Sequence, residues 1–440
     1  MSGGGNRKMR VLFLTNFYLV HGSGGEEQSC QQVVEGLEQR GHTPLVLTSM
    51  HGSNNHPEEG DGVYRSLYLE MDLAPLWHSI NFFTRRKARE RHNLQVFERV
   101  LEQFDPDIIF IWGMWNLPHS LAAFAEAKYP QKVVYRFATY WPTLPSQHES
   151  YWRTPGRTWY SRLPKQLLGR VALTILSREA QKLPLTLHHA ICVSAAAREV
   201  LLEAGVPVSH ARVIHTGLDV DRYSNEGERH PLHNGNKELN LLYAGRFYPE
   251  KGIDTVIEAM IKLIRDRGKQ DIRLNLAGSG SVQYENHLRR LVNQTGLSDN
   301  VMFLGWVPPA DMPELLRKSD VLVLPSTWPE PFSRAVLEGM ISELVVVATR
   351  MGGTPEIIVD GENGLLFMPD DAEDLANKIA RLVDDPESRN RIRHAGKQTV
   401  LEHFTMTKMM DEIEEFLLAV ASGADTKKTS NLKPLGARIG

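Results

Sequence analysis

Short apolar runs alternate with longer amphipathic segments along most of the chain, and this alternation predicts strands that alternate with helices. In the first half, the predicted strands are residues 11–15, 45–48, 108–112, 132–137, 190–193 and 212–215. In the second half, they are residues 239–244, 272–277, 301–304, 321–324 and 345–349. Strands separated by helices are typical of parallel sheets covered on both faces. The pattern therefore predicts an α/β fold with two doubly wound, Rossmann-like domains that face each other across a cleft.

A polar, turn-rich stretch at residues 224–238, SNEGERHPLHNGNKE, separates the two series of strands and is interpreted as a linker. It divides an N-terminal domain, residues 1–223, from a C-terminal domain, residues 239–400. Residues 401–421 are predicted to form a C-terminal helix that packs back toward the N-terminal domain. The polar residues 422–440 are expected to form a flexible tail.

The chain has 440 residues, and its 50 Lys and Arg against 53 Asp and Glu give a formal charge of −3. This balance excludes a globally basic nucleic-acid-binding protein. Cys30 and Cys192 cannot form a disulfide framework and lack the paired spacing of a zinc ribbon. The first apolar run is interrupted at Thr15 and Asn16, which favours a buried strand over a signal peptide. No apolar run is long enough to span a bilayer, so we expect a cytoplasmic protein. The charge balance also leads us to expect no nucleic-acid partner.

The strongest candidate site is the segment EPFSRAVLE, residues 330–338, at the predicted start of a helix. The backbone N–H groups of a helix N-terminus suit a phosphate. Glu338 lies about two helical turns beyond Glu330 and could reach a ribose diol. Two carboxylates beside an anion site indicate a ligand in which a sugar is joined to a phosphate. The alternative is an ordinary glutamate near a helix N-terminus, where it interacts with the helix dipole.

A second loop, GRFYPEKG at residues 245–252, directly follows a predicted strand and carries Arg246 and Lys251. Arginine offers a planar fork to a phosphate, and lysine offers a compact charge. The loop is not a P-loop, because no Ser or Thr follows a GxxxxGK pattern. Two glycine-rich loops, GSGG at residues 22–25 and AGSG within residues 277–280, also follow strands and would let backbone approach a ligand.

Six motifs together resemble family 4 of the retaining glycosyltransferases: GRFYPEKG, AGSG, FLGWV, EPFSRAVLEGM, GGTPEII and NGLLF. The resemblance is close and in order over residues 239–369. It is looser in the first half, in the glycine loop, GLEQRGH and the HTGLD turn at residues 215–219. It implies the GT-B fold, with two facing Rossmann-like domains.

The resemblance implies a retaining transfer of a hexose-type sugar from a nucleotide-diphosphate donor such as a UDP-, GDP- or ADP-sugar, with no metal and no further cofactor. It gives catalytic roles to Arg246, Lys251 and Glu330. It gives donor-binding roles to Gly24, Gly25, Trp306, Val307, Phe332, Ser333, Arg334, Ala335 and Glu338. In this assignment Glu330 binds sugar hydroxyls, Glu338 binds the ribose, and Arg246 and Lys251 hold the diphosphate.

One departure from the family pattern lies in VVYRFATYW, residues 133–141. Relatives often carry a histidine after this strand, where Ala138 and Thr139 stand here. The acceptor-side role is therefore assigned to His119, Thr139 or Tyr140. The alternatives are a weakly active or inactive subunit that binds sugar nucleotides, and a GT-B enzyme of another class, such as an epimerase or a phosphorylase.

Two basic stretches in the first half are interleaved with aromatic and apolar residues. Their basic residues are Arg85, Arg86, Lys87, Arg89 and Arg91 in the first, and Arg153, Arg157, Arg162, Lys165 and Arg170 in the second. Such stretches suit an anionic membrane surface or a lipid-linked acceptor, and the alternative is a solvated helix face. The expected acceptor is a carbohydrate, a lipid-linked molecule or a small molecule, and the expected membrane contact is peripheral.

Overall fold

A computed structural model describes residues 7–18, 24–53, 56–72, 78–156, 158–180, 185–223 and 238–424. These residues form two compact units. The first unit contains the described residues of 1–193, 197–214 and 410–424, and the second contains those of 194–196 and 215–409. The predicted linker, apart from Glu238, and the tail beyond residue 424 lie outside the described residues.

The first unit is built on an eight-stranded sheet in the order β3-β4-β2-β1-β5-β6-β7-β8. Its strands are β1 (Arg10–Thr15), β2 (Thr43–Ser49), β3 (Glu58–Gly60), β4 (Val63–Leu67), β5 (Ile108–Gly113), β6 (Val133–Phe137), β7 (His189–Cys192) and β8 (Arg212–Val213). Among the described strands of this sheet, the edge strand β3 alone is antiparallel to its neighbour. Its residues are exposed and polar, so the hydrophobic pattern did not predict it.

The helices of the first unit connect these strands. They are α1 (Gly25–Gln39), α2 (His78–Thr84), α3 (Arg86–Phe104), α4 (Ser120–Lys128), α5 (Gln147–Arg153), α6 (Trp159–Ala180) and α7 (Ala195–Glu203), whose first two residues fall in the second unit. Every residue of β5, IIFIWG, is buried, as expected for a central strand of a parallel sheet covered on both faces.

The second unit has a six-stranded, fully parallel sheet in the order β11-β10-β9-β12-β13-β14. Its strands are β9 (Leu239–Ala244), β10 (Ile272–Ala277), β11 (Val301–Gly305), β12 (Val321–Leu324), β13 (Val345–Thr349) and β14 (Leu365–Phe367). Its helices are α8 (Ile253–Ile261), α9 (Val282–Gln294), α10 (Met312–Arg317), α11 (Arg334–Ile341), α12 (Ala372–Asp384) and α13 (Pro386–His403).

Two cores cover the two faces of this second sheet. Alternate residues of one strand enter different cores, because successive side chains of a strand point to opposite faces. Val345 and Val347 of β13 join one core, and Val346 and Ala348 join the other. Both faces of the sheet are therefore buried, and ligands can reach it only at the edges where its strands end.

The predicted helix at residues 401–421 is interrupted, and α14 begins at Met406 and ends at Ala421. The N–H of Leu218 donates to the carbonyl of Phe404, and the N–H of Met406 donates to the carbonyl of Leu218, both at 2.8 Å. This bridge takes the backbone of residues 404 and 405 out of helical geometry. No periodicity within residues 401–421 could reveal it, because its partner is Leu218.

The last three turns of α14 belong to the first unit. Glu414 accepts from Arg40 Nη1 at 2.5 Å and contacts His42 Nε2 at 2.9 Å. His42 Nδ1 accepts from the N–H of Met9, so Nε2 carries the proton and donates to Glu414. Burial alone would raise the pKa of Glu414, but these hydrogen bonds outweigh it and lower that pKa.

We predict that Glu414→Gln lowers the free energy of unfolding of the first unit by about 1.5–3 kcal/mol at pH 7, because it removes charged hydrogen bonds. The folded-state pKa of Glu414 is lowered, so its stabilisation is present above the unfolded pKa and is lost as the pH falls through the folded value. Urea unfolding at several pH values measures both effects. Asp411→Asn is the control, because exposed Asp411 also pairs with Arg40 and should cost less than about 1 kcal/mol. Equal losses in the two variants would contradict the prediction.

Candidate functional site

The loops that follow β9 and β10 are hydrogen-bonded and closely packed against each other at the carboxyl edge of the second sheet. The N–H of Phe247 donates to the carbonyl of Ser279 at 2.9 Å. A Cβ atom on Gly278 would lie 1.8 Å from the carbonyl oxygen of Gly245, and one on Gly280 would lie 2.0 Å from that of Phe247. Only glycine allows two backbones to approach so closely. The AGSG motif therefore supports the GRFYPEKG loop.

Lys251 is placed by a short 3₁₀ turn, Pro249–Lys251, that ends at Gly252. Gly252 has a φ of 66°, and a Cβ there would lie 2.1 Å from the carbonyl oxygen of Pro325. With the turn fixed in this way, Lys251 Nζ lies 2.6 Å from Glu330 Oε1. The structure thus brings together two of the three residues that the resemblance assigns to catalysis.

Two glycines hold the loop of Glu330 from its other side. The N–H of Gly353 donates to the carbonyl of Glu330 at 2.9 Å. A Cβ on Gly352 would lie 2.2 Å from that same carbonyl oxygen, and one on Gly353 would lie 2.3 Å from the carbonyl oxygen of Pro331. The sequence analysis used GGTPEII only as part of the resemblance. The structure gives its two glycines a positioning role.

Glu356, four residues beyond Gly352, is a buried carboxylate that the sequence analysis did not single out. It accepts from the N–H groups of Ala195 and Ala196 at 3.0 and 2.8 Å and contacts His215 Nε2 at 3.0 Å. Burial alone would raise its pKa, but these hydrogen bonds, led by that of His215, lower it. The ring of His215 stacks on Phe332 with centroids 5.3 Å apart. Phe332 therefore packs against this support with a partly buried side chain.

The helix N-terminus that was predicted to bind phosphate is that of α11. Ser333 is its N-cap and Arg334 and Ala335 are its first residues. The side chain of Ser333 makes no cap hydrogen bond, so it does not occupy the N–H groups of the first turn. The predicted helix start is therefore present within residues 330–338, and the preceding strand, β12, ends at Leu324.

Glu338 lies on α11 and is half-buried. Burial raises its pKa, and the smaller effects of Arg334, Tyr223 and Arg222 act in the opposite direction. Tyr223 donates a hydrogen bond to this carboxyl group. Tyr223 was missed by the sequence analysis, because it precedes the predicted linker and nothing local ties it to α11. Glu330 and Glu338 therefore have different surroundings: Glu330 is paired with a lysine, and Glu338 is half-buried and accepts a hydrogen bond from a tyrosine.

Arg246 is exposed, with its guanidinium 5.4 Å from the centre of the Tyr248 ring. Its carbonyl accepts from the hydroxyl of Tyr243 at 2.9 Å, which fixes the backbone while the side chain remains accessible. Trp306, directly after β11, is 65% exposed. Val307 packs partly against the core of the second unit.

The remaining predicted residues lie in the first unit. Gly24 is the N-cap of α1, and Gly25 is the first residue of that helix. His119 is the N-cap of α4, which follows β5, and Thr139 and Tyr140 follow β6. Thr139 is half-buried and Tyr140 is buried. These five residues follow strands that run parallel in one sheet, so they occupy its carboxyl edge.

His119 lines a cavity of about 490 Å³ in the first unit. Burial lowers the pKa of His119. Burial also raises the pKa of Glu70, another lining residue, to about 7, although Glu70 accepts from the N–H of Gln147. His148 has its pKa lowered to about 3, first by burial and then by Arg86. The cavity therefore combines neutral histidines with a carboxyl group that titrates near neutrality.

In the part of the chain that the structure describes, no three His, Cys, Asp or Glu side chains are grouped as metal ligands. Within the same residues, no helix has the length and the apolar character that crossing a bilayer requires.

Two family models match the chain, one for each half. Residues 23–222 match the model described as Glycosyltransferase Family 4, and residues 225–399 match the model described as Glycosyl transferases group 1. The chain belongs to the family 4, group 1 glycosyltransferases, which confirms the resemblance drawn from its motifs.

Similar proteins with curated names match over part of their length. Spore coat protein SA of Bacillus subtilis is 27% identical over 220 residues, which cover 47% of this chain and 58% of that protein. An uncharacterized glycosyltransferase of Methanocaldococcus jannaschii, MJ1607, is 32% identical over 175 residues, which cover 40% of this chain and 43% of that protein. The chain thus spans about half the length of these relatives.

Solved structures match over nearly the whole chain. HepE of Anabaena in complex with UDP is similar at a TM-score of 0.66, with 22% identity over 93% of this chain and 100% of that one. Sucrose-phosphate synthase of Thermosynechococcus elongatus is similar at a TM-score of 0.67, with 19% identity over 95% of this chain and 100% of that one. At these identities the comparison establishes the fold, which is the predicted GT-B class.

We predict that Gly352→Ala destabilises the second unit more than Gly361→Ala does. Both glycines have positive φ, so both alanines meet backbone strain of about 1–2 kcal/mol. Only Gly352 has a neighbour in the way, the carbonyl of Glu330, and nothing lies within 4 Å of a Cβ on Gly361. Overpacking should add about 1–3 kcal/mol to the loss for Gly352→Ala. Urea unfolding of both variants measures this difference, and equal losses would show that the close approach does not constrain the Glu330 loop.

Proposed function

We propose that this chain is a metal-independent, retaining hexosyltransferase that moves a sugar from a nucleotide-diphosphate donor to an acceptor hydroxyl. The contact of Lys251 Nζ with Glu330 Oε1 at 2.6 Å is the observation that carries the proposal. It places a cation for a diphosphate beside a carboxylate for sugar hydroxyls, at the carboxyl edge of a parallel sheet. Family membership and the UDP in the similar HepE complex support the same donor class.

In the proposed reaction, negative charge builds on the leaving diphosphate as the glycosidic bond breaks. Arg246, Lys251 and the N-terminus of α11 would stabilise this charge more than they stabilise the bound donor, which is the condition for lowering the barrier. These fixed positive groups supply the neutralisation that a metal ion would otherwise give. Glu330 would orient the sugar and, through its ion pair, would also orient Lys251.

The burial of Glu338 and the exposure of Trp306 suggest the remaining contacts with the donor. Glu338 would accept hydrogen bonds from the ribose diol, and those bonds would compensate the desolvation that raises its pKa. Trp306 offers an exposed aromatic face to the nucleobase, beside Val307. Gly24 and Gly25 are proposed as donor contacts from the first unit.

The acceptor is proposed to be a carbohydrate, a lipid-linked molecule or a small molecule that binds in the first unit. The cavity beside His119 is large enough for a monosaccharide, and its mixture of carboxylates, histidines and arginines suits hydroxyl groups. Thr139 and Tyr140 are the other candidates on this side. The proposed site of action is the cytoplasm, with peripheral contact to an anionic membrane.

A second candidate is a weakly active or inactive subunit that binds sugar nucleotides. Ala138 favours it, because relatives often carry a histidine after this strand. An epimerase of the same fold is a further alternative. The subunit would bind a donor without turning it over, and the epimerase would convert a donor sugar with no acceptor present.

The first experiment is a thermal-shift screen of the full chain against UDP-, GDP-, ADP- and dTDP-sugars, with and without EDTA. A donor present at 100 times its Kd should stabilise the folded protein by about 2.7 kcal/mol. We expect one nucleotide to give a shift that EDTA leaves unchanged. No shift with any donor would contradict the proposed function, and a shift that EDTA removes would contradict metal independence.

We predict that Arg246→Ala lowers the rate of sugar transfer by about 10²–10³-fold, which corresponds to about 2.7–4 kcal/mol of transition-state stabilisation. The fold should be retained, because the side chain is exposed. Arg290→Ala on α9 is the matched control, since Arg290 is an exposed arginine of the same unit whose guanidinium donates to the carbonyl of Asn286 in its own helix. Transfer at the wild-type rate by Arg246→Ala would refute the assignment.

A further inference from the structure

Helix α6 carries a stripe of apolar side chains that face solvent. Trp159, Leu163, Leu167 and Val171 are four residues apart, and their exposed fractions lie between 54% and 84%. At 100° per residue, these positions fall within about one third of the helix circumference. We call these four residues the α6 stripe.

The opposite face of α6 makes the packing contacts of the helix. Ala172 is completely buried in a cluster with Phe82 and Trp152. Lys165 Nζ lies 3.9 Å from the centre of the Tyr151 ring. The helix is therefore anchored to α2 and α5 by one face, and the α6 stripe remains mostly exposed. An apolar stripe of this extent marks an interaction surface, because exposed apolar residues on soluble faces are usually scattered singly.

The charged residues of α6 that precede Glu179 are all basic. Arg162, Arg170 and Arg178 are exposed on the same helix. No acidic residue occurs between Glu149 and Glu179, although the whole chain has a formal charge of −3. A helix with an apolar face and exposed basic residues is suited to the surface of an anionic bilayer, where acyl chains meet the stripe and phosphates meet the arginines.

A second copy of the chain suits this face less well than lipid does. A twofold contact would place the same patch of both copies against itself. That arrangement would bring the arginines of one α6 close to those of the other, with no carboxylate on the helix before Glu179 to pair with them. Anionic lipid provides the opposite charge together with an apolar layer.

We propose that α6 lies in the plane of an anionic membrane, with the α6 stripe inserted between headgroups and Arg162, Arg170 and Arg178 paired with lipid phosphates. This inference rests on the proposed peripheral contact and names the surface that makes it. Trp159, at the first turn of α6, is placed to anchor the helix at the interface, where tryptophan is enriched.

The test is flotation of the full chain with vesicles of phosphatidylcholine alone and of phosphatidylcholine with phosphatidylglycerol. We expect binding to the anionic vesicles, weaker binding at high salt, and little binding to the neutral ones. Leu163→Glu with Leu167→Glu should weaken binding at least tenfold. Arg162→Gln with Arg170→Gln should remove most of the preference for anionic vesicles. Val282→Glu, which alters an exposed apolar residue of the second unit, is the control and should bind as the wild type does.

Three outcomes would overturn the proposal. The wild type could bind neither kind of vesicle, the Leu163→Glu, Leu167→Glu variant could bind as the wild type does, or that variant could instead abolish a dimer seen by light scattering.

Donor-induced thermal shifts without vesicles separate this proposal from the proposed function. Donor binding without vesicle binding would refute the membrane surface alone, and vesicle binding without donor binding would refute the donor site alone. An unchanged unfolding temperature shows that the variants are folded.

Discussion

Lys251 and Glu330 are 79 residues apart in sequence, and their side chains meet because three backbone segments approach within van der Waals distance. Gly252 lets the first loop pack on the carbonyl of Pro325, and Gly352 lets a third segment pack on the carbonyl of Glu330. A single Cβ at either position would occupy the space of a carbonyl oxygen. The geometry of the candidate site is therefore set by glycines that carry no chemistry themselves.

The parallel sheet makes this arrangement possible. All six strands of the second unit run in one direction, so the loops after β9, β10 and β12 and the start of α11 lie at the same edge. The two core clusters close both faces of the sheet. Hydrophobic burial thus fixes the strands, and the strands bring charged residues from distant parts of the sequence to one edge.

The sequence was sufficient to predict what local pattern determines. Buried strands such as β5 and β13 are largely apolar runs, and the start of α11 was predicted from EPFSRAVLE alone. The break before α14 was not predicted, because it depends on hydrogen bonds with Leu218. Tyr223 and Glu356 were missed for the same reason: each acts through a partner that lies far away in sequence. The edge strand β3 was missed because its residues are exposed and polar.

The two carboxylates of the candidate site show how surroundings assign roles to identical side chains. Glu330 is paired with Lys251 and remains partly exposed, so in the proposed function it could turn to sugar hydroxyls while Lys251 turns to the diphosphate. Burial raises the pKa of Glu338, so its ionised form gains from every hydroxyl group that donates to it, as Tyr223 does. The net charge of the chain and the charge of one of its surfaces differ in the same way. The whole chain has a net negative charge, but the basic residues of α6 give that helix a positive surface. Binding to an anionic membrane would depend on the charge of the surface that contacts it and not on the net charge of the chain.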